Sequence, residues 1–110
     1  MHEASSLPTT IGEGKMREVT PVWEDTWRKL VVIRLRAGAL LDDHSTKFPI
    51  TIHAFLGSGT LRVAGREYPL TPGVVVPVDA HVIHSVQADP EIAILVTFFR
   101  HAGAATVSAS

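Results

Sequence analysis

The chain contains no cysteine, no long hydrophobic run and no excess of charge of one sign. Without cysteine it can form neither a disulfide nor a zinc–thiolate site, so any metal would be bound by His, Asp, Glu or water. The formal net charge of -1 at pH 7 provides no basic surface for nucleic acid or anionic lipid. The stretch MHEASSLPTTIGEGK lacks the apolar region of a secretory signal, and no run approaches the roughly 18 apolar residues of a membrane span. We therefore expect a cytoplasmic protein with a small-molecule partner and with no nucleic-acid or membrane partner.

The length and composition fit one globular domain, with 110 residues of which 45% are hydrophobic. Both ends of the chain are small and polar, with too little apolar content to offset the entropy of an ordered segment. We predict a flexible N-terminal tail at residues 1–14, a single domain at residues 15–100 and a flexible C-terminal tail at residues 101–110.

Between the tails, short apolar runs are separated by Gly, Pro or Asp, which is the pattern of strands joined by tight turns. Turn residues mark one hairpin at 65–66 and the next turn at 71–73. These short connections predict an antiparallel sandwich or barrel, because parallel strands need long crossovers. Only residues 22–29 (VWEDTWRK) leave a single helical turn open as an alternative to the extended segment that we favour. The predicted strands are residues 30–35, 50–56, 60–64, 74–78, 82–86 and 92–99.

A spaced set of residues runs from Gly38 through His44, Thr46 and Ile50 to Gly57. Its length is that of the first cupin motif, which usually contains a glycine, His-x-His, a glutamate and a second glycine. The first histidine and both glycines are in place here, while Thr46 and Ile50 stand at the positions of the second histidine and the glutamate.

A second set runs from Gly73 through Asp79, His81 and His84 to Ala88 and has the length of the second cupin motif, with His84 on the motif's histidine. The segment SGTLRVAGREYPLTP is similar to the hairpin that cupins place between the two motifs, so the resemblance covers about residues 30–100. The chain thus resembles a single-domain, RmlC-like cupin. The resemblance implies an all-β fold, an antiparallel double-stranded β-helix or jelly-roll barrel.

The resemblance also implies a metal site, with a degenerate first motif. Metal-binding cupins usually supply three histidines and a glutamate, of which this chain keeps His44 and His84. The implied cofactor is one divalent transition metal (Fe, Ni, Mn, Zn or Cu), although two imidazoles alone would bind it weakly. The expected lining of the ligand site is Thr46, Ile50, Ile52 and His81.

His53 is the alternative third ligand. Side chains alternate across a strand, so if Ile50 points inward then Ile52 and Ala54 do so as well, and His53 points to the other face. A bulge near Pro49 would reverse this register and bring His53 inward. We favour the regular strand and keep the three-histidine site as the alternative.

Each motif histidine also has a purely structural interpretation. His44 follows Asp42 and Asp43 and could be a solvated partner of their carboxylates, while His84 could simply bond a backbone carbonyl at a strand end. Both histidines nevertheless fall on motif positions that the cupin fold brings to one cavity. Their combination therefore favours a shared site.

Two tryptophans and three arginines are further candidates for ligand contacts. Trp23 and Trp27 could stack on a ligand, but aromatic residues before a first strand more often close the barrel or fill a dimer contact. Arg34, Arg36 and Arg62 alternate with apolar neighbours. They would clamp an anionic substrate if they faced the cavity, whereas strand arginines are usually solvated or cover an edge.

Two classes of function remain open, with a purely structural unit as a third. The first is a metal-dependent enzyme of the dioxygenase or isomerase type, and the second is a non-catalytic small-ligand-binding or sensor module. No nucleophile–base pair or acid pair is visible, so no catalytic residue is assigned. We expect a homodimer formed through residues 15–36, because an unpaired strand edge and the apolar run IAILVTFF need cover.

Overall fold

The computed structural model describes residues 3–100, so the predicted C-terminal tail lies outside the described residues. All regular structure in the described part is β, and every strand pair is antiparallel, which confirms the predicted fold class. The strand order is β1-β2-β7-β4-β5, with β3 also paired to β7 and β6 to β4. The strands are β1 (Arg17–Glu24), β2 (Arg28–Leu35), β3 (Leu40–His44), β4 (Ile50–Val63), β5 (Arg66–Leu70), β6 (Val75–Val78) and β7 (His84–Phe99).

Two of the strands are longer than the sequence predicted. Residues 50–56 and 60–64 were predicted as separate strands, but both belong to β4, and residues 84–86 and 92–99 both belong to β7. Register shifts between Ala54 and Leu56 and between Gly57 and Gly59 allow β4 to bend along β7 without ending. The alternative of a helical turn at residues 22–29 is wrong, because these residues form the end of β1, a bend and the start of β2.

The core lies on one face of the long strands, where apolar side chains alternate with more exposed ones. In β4, Ile50, Ile52 and Ala54 are buried while the residues between them are only half-buried. β7 contributes most to the packing because it pairs with β2, β3 and β4. The largest fully buried side chains are Leu35, Ile52, Leu61, Leu70, Ile92, Ile94, His84, Val32 and Val86.

The N-terminal segment 3–15, here called the strap, overlaps the predicted tail at residues 1–14 and contacts the domain near the C-terminal end of the strap. Ile11 is only 8% exposed, and the guanidinium of Arg36 binds the segment at three carbonyl oxygens. Arg36 Nε donates to Gly12 O at 3.0 Å, Nη1 to Lys15 O at 2.8 Å and Nη2 to Ile11 O at 2.8 Å. A second bond from Nη1 reaches Glu18 Oε1 at 2.8 Å. A single buried arginine therefore holds a segment whose own composition is too polar to form a core.

Strand β1 lies at one end of the sheet, next to β2. These two strands contain most of residues 15–36, the predicted contact of a homodimer, which stays a prediction. Within residues 3–100 there is no helix of the length and hydropathy needed to cross a membrane.

Candidate ligand-binding site

The two motif histidines lie side by side. His44 is the last residue of β3 and His84 is the first residue of β7, and their Cα atoms are register partners across the two strands. The ring centroids are 4.2 Å apart and the ring planes are tilted by 60°. The fold therefore brings together the two histidines that the motif spacing singled out.

Both imidazole rings are oriented by backbone carbonyls two residues earlier in the chain. His44 Nδ1 is 2.8 Å from the carbonyl oxygen of Asp42, and His84 Nδ1 is 2.9 Å from that of Val82. A carbonyl oxygen only accepts hydrogen bonds, so each Nδ1 carries the proton and each neutral ring presents a lone pair at Nε2. The structural alternatives from the sequence were a backbone carbonyl for His84, which is found, and the carboxylates of Asp42 and Asp43 for His44, whose partner is instead the Asp42 carbonyl. In both cases the carbonyl belongs to the residue two positions before the histidine, and this separation is the signal that could have identified both partners.

Burial favours the neutral form of His84. His84 is only 2% exposed. Burial lowers the pKa of His84, its hydrogen bond to the Val82 carbonyl acts in the opposite direction, and repulsion from His44 lowers the pKa further. The neutral ring of His84, with its proton on Nδ1, therefore has Nε2 as a hydrogen-bond acceptor.

We predict a loss of stability on mild acidification that depends on His84. The folded-state pKa of His84 is lowered, so below about pH 6.5 the unfolded chain binds a proton that the folded chain does not, and the free energy of unfolding falls. For one proton the slope is at most about 1.4 kcal/mol per pH unit. Urea unfolding of the wild type and of His84→Gln between about pH 7.5 and 5.5, with a chelator present, should show a shallower slope for the variant. Equal slopes would contradict the assignment.

The residues expected to line the site are placed differently from one another. Thr46 lies in the loop after β3, where its hydroxyl donates to the carbonyl of Phe48 at 2.7 Å. His81 is exposed, has a positive φ of 68°, and its backbone N–H donates to the carbonyl of Thr46 at 2.7 Å. Ile50 and Ile52 are buried in the core. Thr46 and His81 thus form a backbone contact between two loops, while the two isoleucines contribute apolar side chains to the core.

His53 lies on the face of β4 opposite to the buried Ile52 and Ala54. Its register partners are Val75 and Leu95, and its ring contacts the edge of Phe55 with centroids 6.5 Å apart. The strand is regular up to Ala54, and the bulge near Pro49 that would turn His53 inward is not formed. His53 is therefore not brought to the histidine pair.

The described side chains do not complete a metal centre. No group of three or more His, Cys, Asp or Glu side chains within residues 3–100 is arranged to hold a metal ion. The Thr46 hydroxyl is already bonded to Phe48, and Ile50 has no donor atom. The donor set is two imidazole nitrogens, which is short of the three histidines and one glutamate implied by the resemblance.

Comparison with known proteins gives structural matches alone. No family model matches the sequence, and no curated protein matches it. The fold is similar to an RmlC-like cupin protein from Desulfovibrio desulfuricans, with a TM-score of 0.73 and 21% identity over 88% of this chain and 98% of that one. It is also similar to a cupin superfamily protein from Desulfitobacterium hafniense, with a TM-score of 0.74 and 12% identity over 80% of this chain and 81% of that one.

A third similar structure is the salicylate 1,2-dioxygenase of Pseudoaminobacter salicylatoxidans, with a TM-score of 0.73 and 18% identity. The match covers 83% of this chain but only 27% of the dioxygenase. Two cupins and a part of a larger protein thus share the antiparallel arrangement described above. The strand pairing and these structural matches show that this chain has an all-β, antiparallel fold similar to that of solved cupin proteins.

Proposed function

We propose that this chain is a small-ligand-binding cupin domain in which His44 and His84 accept hydrogen bonds from the ligand. The observation that carries the proposal is the ring pair itself, with centroids 4.2 Å apart and both Nδ1 atoms bonded to carbonyls. Neutral rings held in this way offer Nε2 lone pairs to a donor. Within residues 3–100 no third His, Asp or Glu side chain joins the pair in a group arranged to hold a metal ion, which favours this function over metal-dependent catalysis.

The surroundings of the pair indicate the class of ligand. Val63 is the register partner of His84 across β4 and β7, and Leu41 and Val82 are half-buried against the core. Apolar neighbours with few polar groups are typical of sites for small organic molecules. We therefore expect a ligand with an apolar body and one or two hydroxyl donors, such as a phenol.

The proposal predicts that phenol binds more tightly than anisole, its methyl ether, which cannot donate a hydrogen bond. One lost hydrogen bond of about 1 kcal/mol corresponds to roughly fivefold weaker binding. Binding is measured from the NMR shifts of the histidine ring protons after treatment with a chelator. His44→Phe and His84→Phe should abolish the preference for phenol, while His53→Phe on the opposite face serves as the matched control and should retain it. Equal affinities for the two probes in the wild type would overturn the proposal.

A metal-dependent enzyme of the dioxygenase or isomerase type is the second candidate, favoured by one observation. Hydrogen bonds from Nδ1 to a carbonyl are the arrangement that orients Nε2 toward a metal ion. Calorimetric titration of the chelator-treated protein with Ni²⁺, Zn²⁺ or Fe²⁺ separates the two functions. A dissociation constant below about 1 µM, lost in His44→Phe and His84→Phe but retained in His53→Phe, would select the metal-dependent enzyme. Weaker binding supports the ligand-binding domain.

A further inference from the structure

Arg34 carries an unused hydrogen-bonding edge. Within residues 3–100, its Nε is the buried side-chain nitrogen or oxygen that has no hydrogen-bond partner. On the other side of the guanidinium, Nη1 donates to the hydroxyl of Thr20 at 3.3 Å, a long bond. A buried N–H group without an acceptor has lost its hydrogen bonds to water and forms none within the protein, which is energetically unfavourable. The edge formed by Nε and Nη2 is therefore ready to accept a partner.

This edge matches a carboxylate. Nε and Nη2 of arginine donate two parallel hydrogen bonds, which fit the two oxygens of a carboxylate group. The nearest acidic register partner is Glu18, across β1 and β2. Its carboxylate is engaged by Arg36 Nη1 at 2.8 Å. Glu18 is close enough to interact electrostatically with Arg34, but within residues 3–100 no carboxylate forms a hydrogen bond with Nε of Arg34.

Two adjoining cavities lie next to Arg34, between the strap and the outer face of β1, β2 and β7. The first has a volume of about 510 Å³ and is lined by Arg34, Thr20, Val32 and strap residues 5–8. The second has a volume of about 500 Å³ and shares Ser5, Leu7 and Val22 with the first. Its remaining lining is mainly apolar and comprises Glu3, Trp23, Arg28, Leu30, Leu95, Thr97 and Phe99.

The difference in polarity between the two cavities indicates how a bound ligand would be oriented. The first cavity adds the hydroxyls of Ser5 and Ser6 to the arginine edge, so it offers donors for an anion. The second cavity offers mainly aromatic and aliphatic surface, and its two charged residues, Glu3 and Arg28, have opposite signs, with Arg28 already paired to Asp25. A molecule that fits both has a carboxylate at one end and an apolar body at the other.

The strap supplies the means of access. Within the described structure, residues 3–10 make no hydrogen bonds, and the segment packs through Leu7, Pro8 and Ile11. Arg36 anchors the strap at residues 11–15. Because Arg34 Nε is closed to water, access of a ligand oxygen to it would require residues 5–8 to move outward while the anchored end stays in place.

We propose that the outer face of the sheet, beneath the strap, is a second binding site, which takes a small amphipathic carboxylate. Arg34 binds the carboxylate through Nε and Nη2, and the apolar chain lies against Leu30, Leu95 and Phe99. The site is separate from the His44–His84 pair and does not depend on the function proposed for that pair.

The test compares octanoate with 1-octanol, which has the same chain without the carboxylate, at concentrations below micelle formation. Octanoate should bind saturably and at least about tenfold more tightly than octanol, because two charge-assisted hydrogen bonds are made only by the acid. The amide and methyl signals of Leu7, Val32 and Leu95 should shift in NMR spectra, whereas the ring signals of His44 and His84 should not.

Arg34→Met keeps the apolar part of the side chain and removes the guanidinium. It should reduce octanoate affinity at least about tenfold and leave octanol affinity unchanged. Arg62→Met is the matched control, because Arg62 is exposed and paired with Glu67 on a different part of the sheet. Equal affinities of the wild type for octanoate and octanol would overturn the proposal even if Arg34→Met failed to fold. So would unchanged octanoate binding in Arg34→Met, or shifts centred on the histidine pair.

Discussion

Arg36→Met should lower the free energy of unfolding by about 3 kcal/mol, since breaking a buried charged network typically has this effect. The guanidinium of Arg36 is buried and makes four hydrogen bonds, three of them to backbone carbonyls of residues 11–15. Methionine fills a similar volume but donates nothing, so these carbonyls lose their partner in a partly buried position. The strap should detach at its anchored end, and Ile11 should lose its buried position.

Urea unfolding measures the stability of Arg36→Met, and hydrogen exchange of the amides at residues 11–15 reports the anchored end of the strap. Arg36→Lys should recover only part of the loss, because an ammonium is a compact charge without the planar fork that reaches separate acceptors. Arg62→Met should change stability by less than about 0.5 kcal/mol, as expected for an exposed ion pair. If Arg36→Met were as stable as Arg62→Met, the anchoring role of Arg36 would be wrong.

The second large effect is expected at Gly57, the last glycine of the first motif. Its φ is 71°, a region that residues with a Cβ atom rarely adopt. A Cβ at this position would also collide with the carbonyl oxygen of Glu91 in β7 and press on the side chain of Ile11 at 3.0 Å. Gly57→Ala should therefore lower the free energy of unfolding by about 3 to 4 kcal/mol, or prevent folding, as strain and overpacking add.

Gly65→Ala is the matched control for this prediction. Gly65 has a φ of 81°, but a Cβ there would have no atom within 4 Å. The control should lose about 1 to 2 kcal/mol from backbone strain alone. Thermal unfolding followed by circular dichroism measures both variants, and the difference between them isolates the collision with β7. Equal losses for the two variants would show that the backbone at Gly57 relaxes away from Glu91.

The strand content could be predicted because it depends on patterns among residues that are close together in the sequence. Apolar runs alternate with turn residues, and the predicted tight hairpin is formed, although its turn residues are Ala64 and Gly65, both with positive φ, one residue earlier than the predicted 65–66. The continuity of β4 could not be predicted in the same way. Gly57, Ser58 and Gly59 look like a turn in sequence, yet β7 runs beside them and the extra residues are absorbed as bulges.

The candidate site was predictable to the extent that it depends on motif spacing. The meeting of His44 and His84 followed from their positions in the two motifs, and strand alternation indicated that His53 faces away. The state of the rings depends on the carbonyls of Asp42 and Val82, which only the folded backbone places at Nδ1. The contact between the strap and Arg36 could not be predicted, because Arg36 lies beyond the end of β2 and resembles any other arginine in the sequence.

The position of β7 at the centre of the sheet has a consequence for the order of events during synthesis. It is the last strand of the described domain to leave the ribosome, yet β2, β3 and β4 all pair with it. The earlier strands therefore emerge without their central partner, and the apolar faces of β2 and β4 stay exposed until residues 84–99 are available. Such pairing between distant segments gives the domain a high contact order, for which folding is slow compared with helical domains of similar size. Nascent chains that end before β7 are accordingly the species with the greatest need of a holding chaperone.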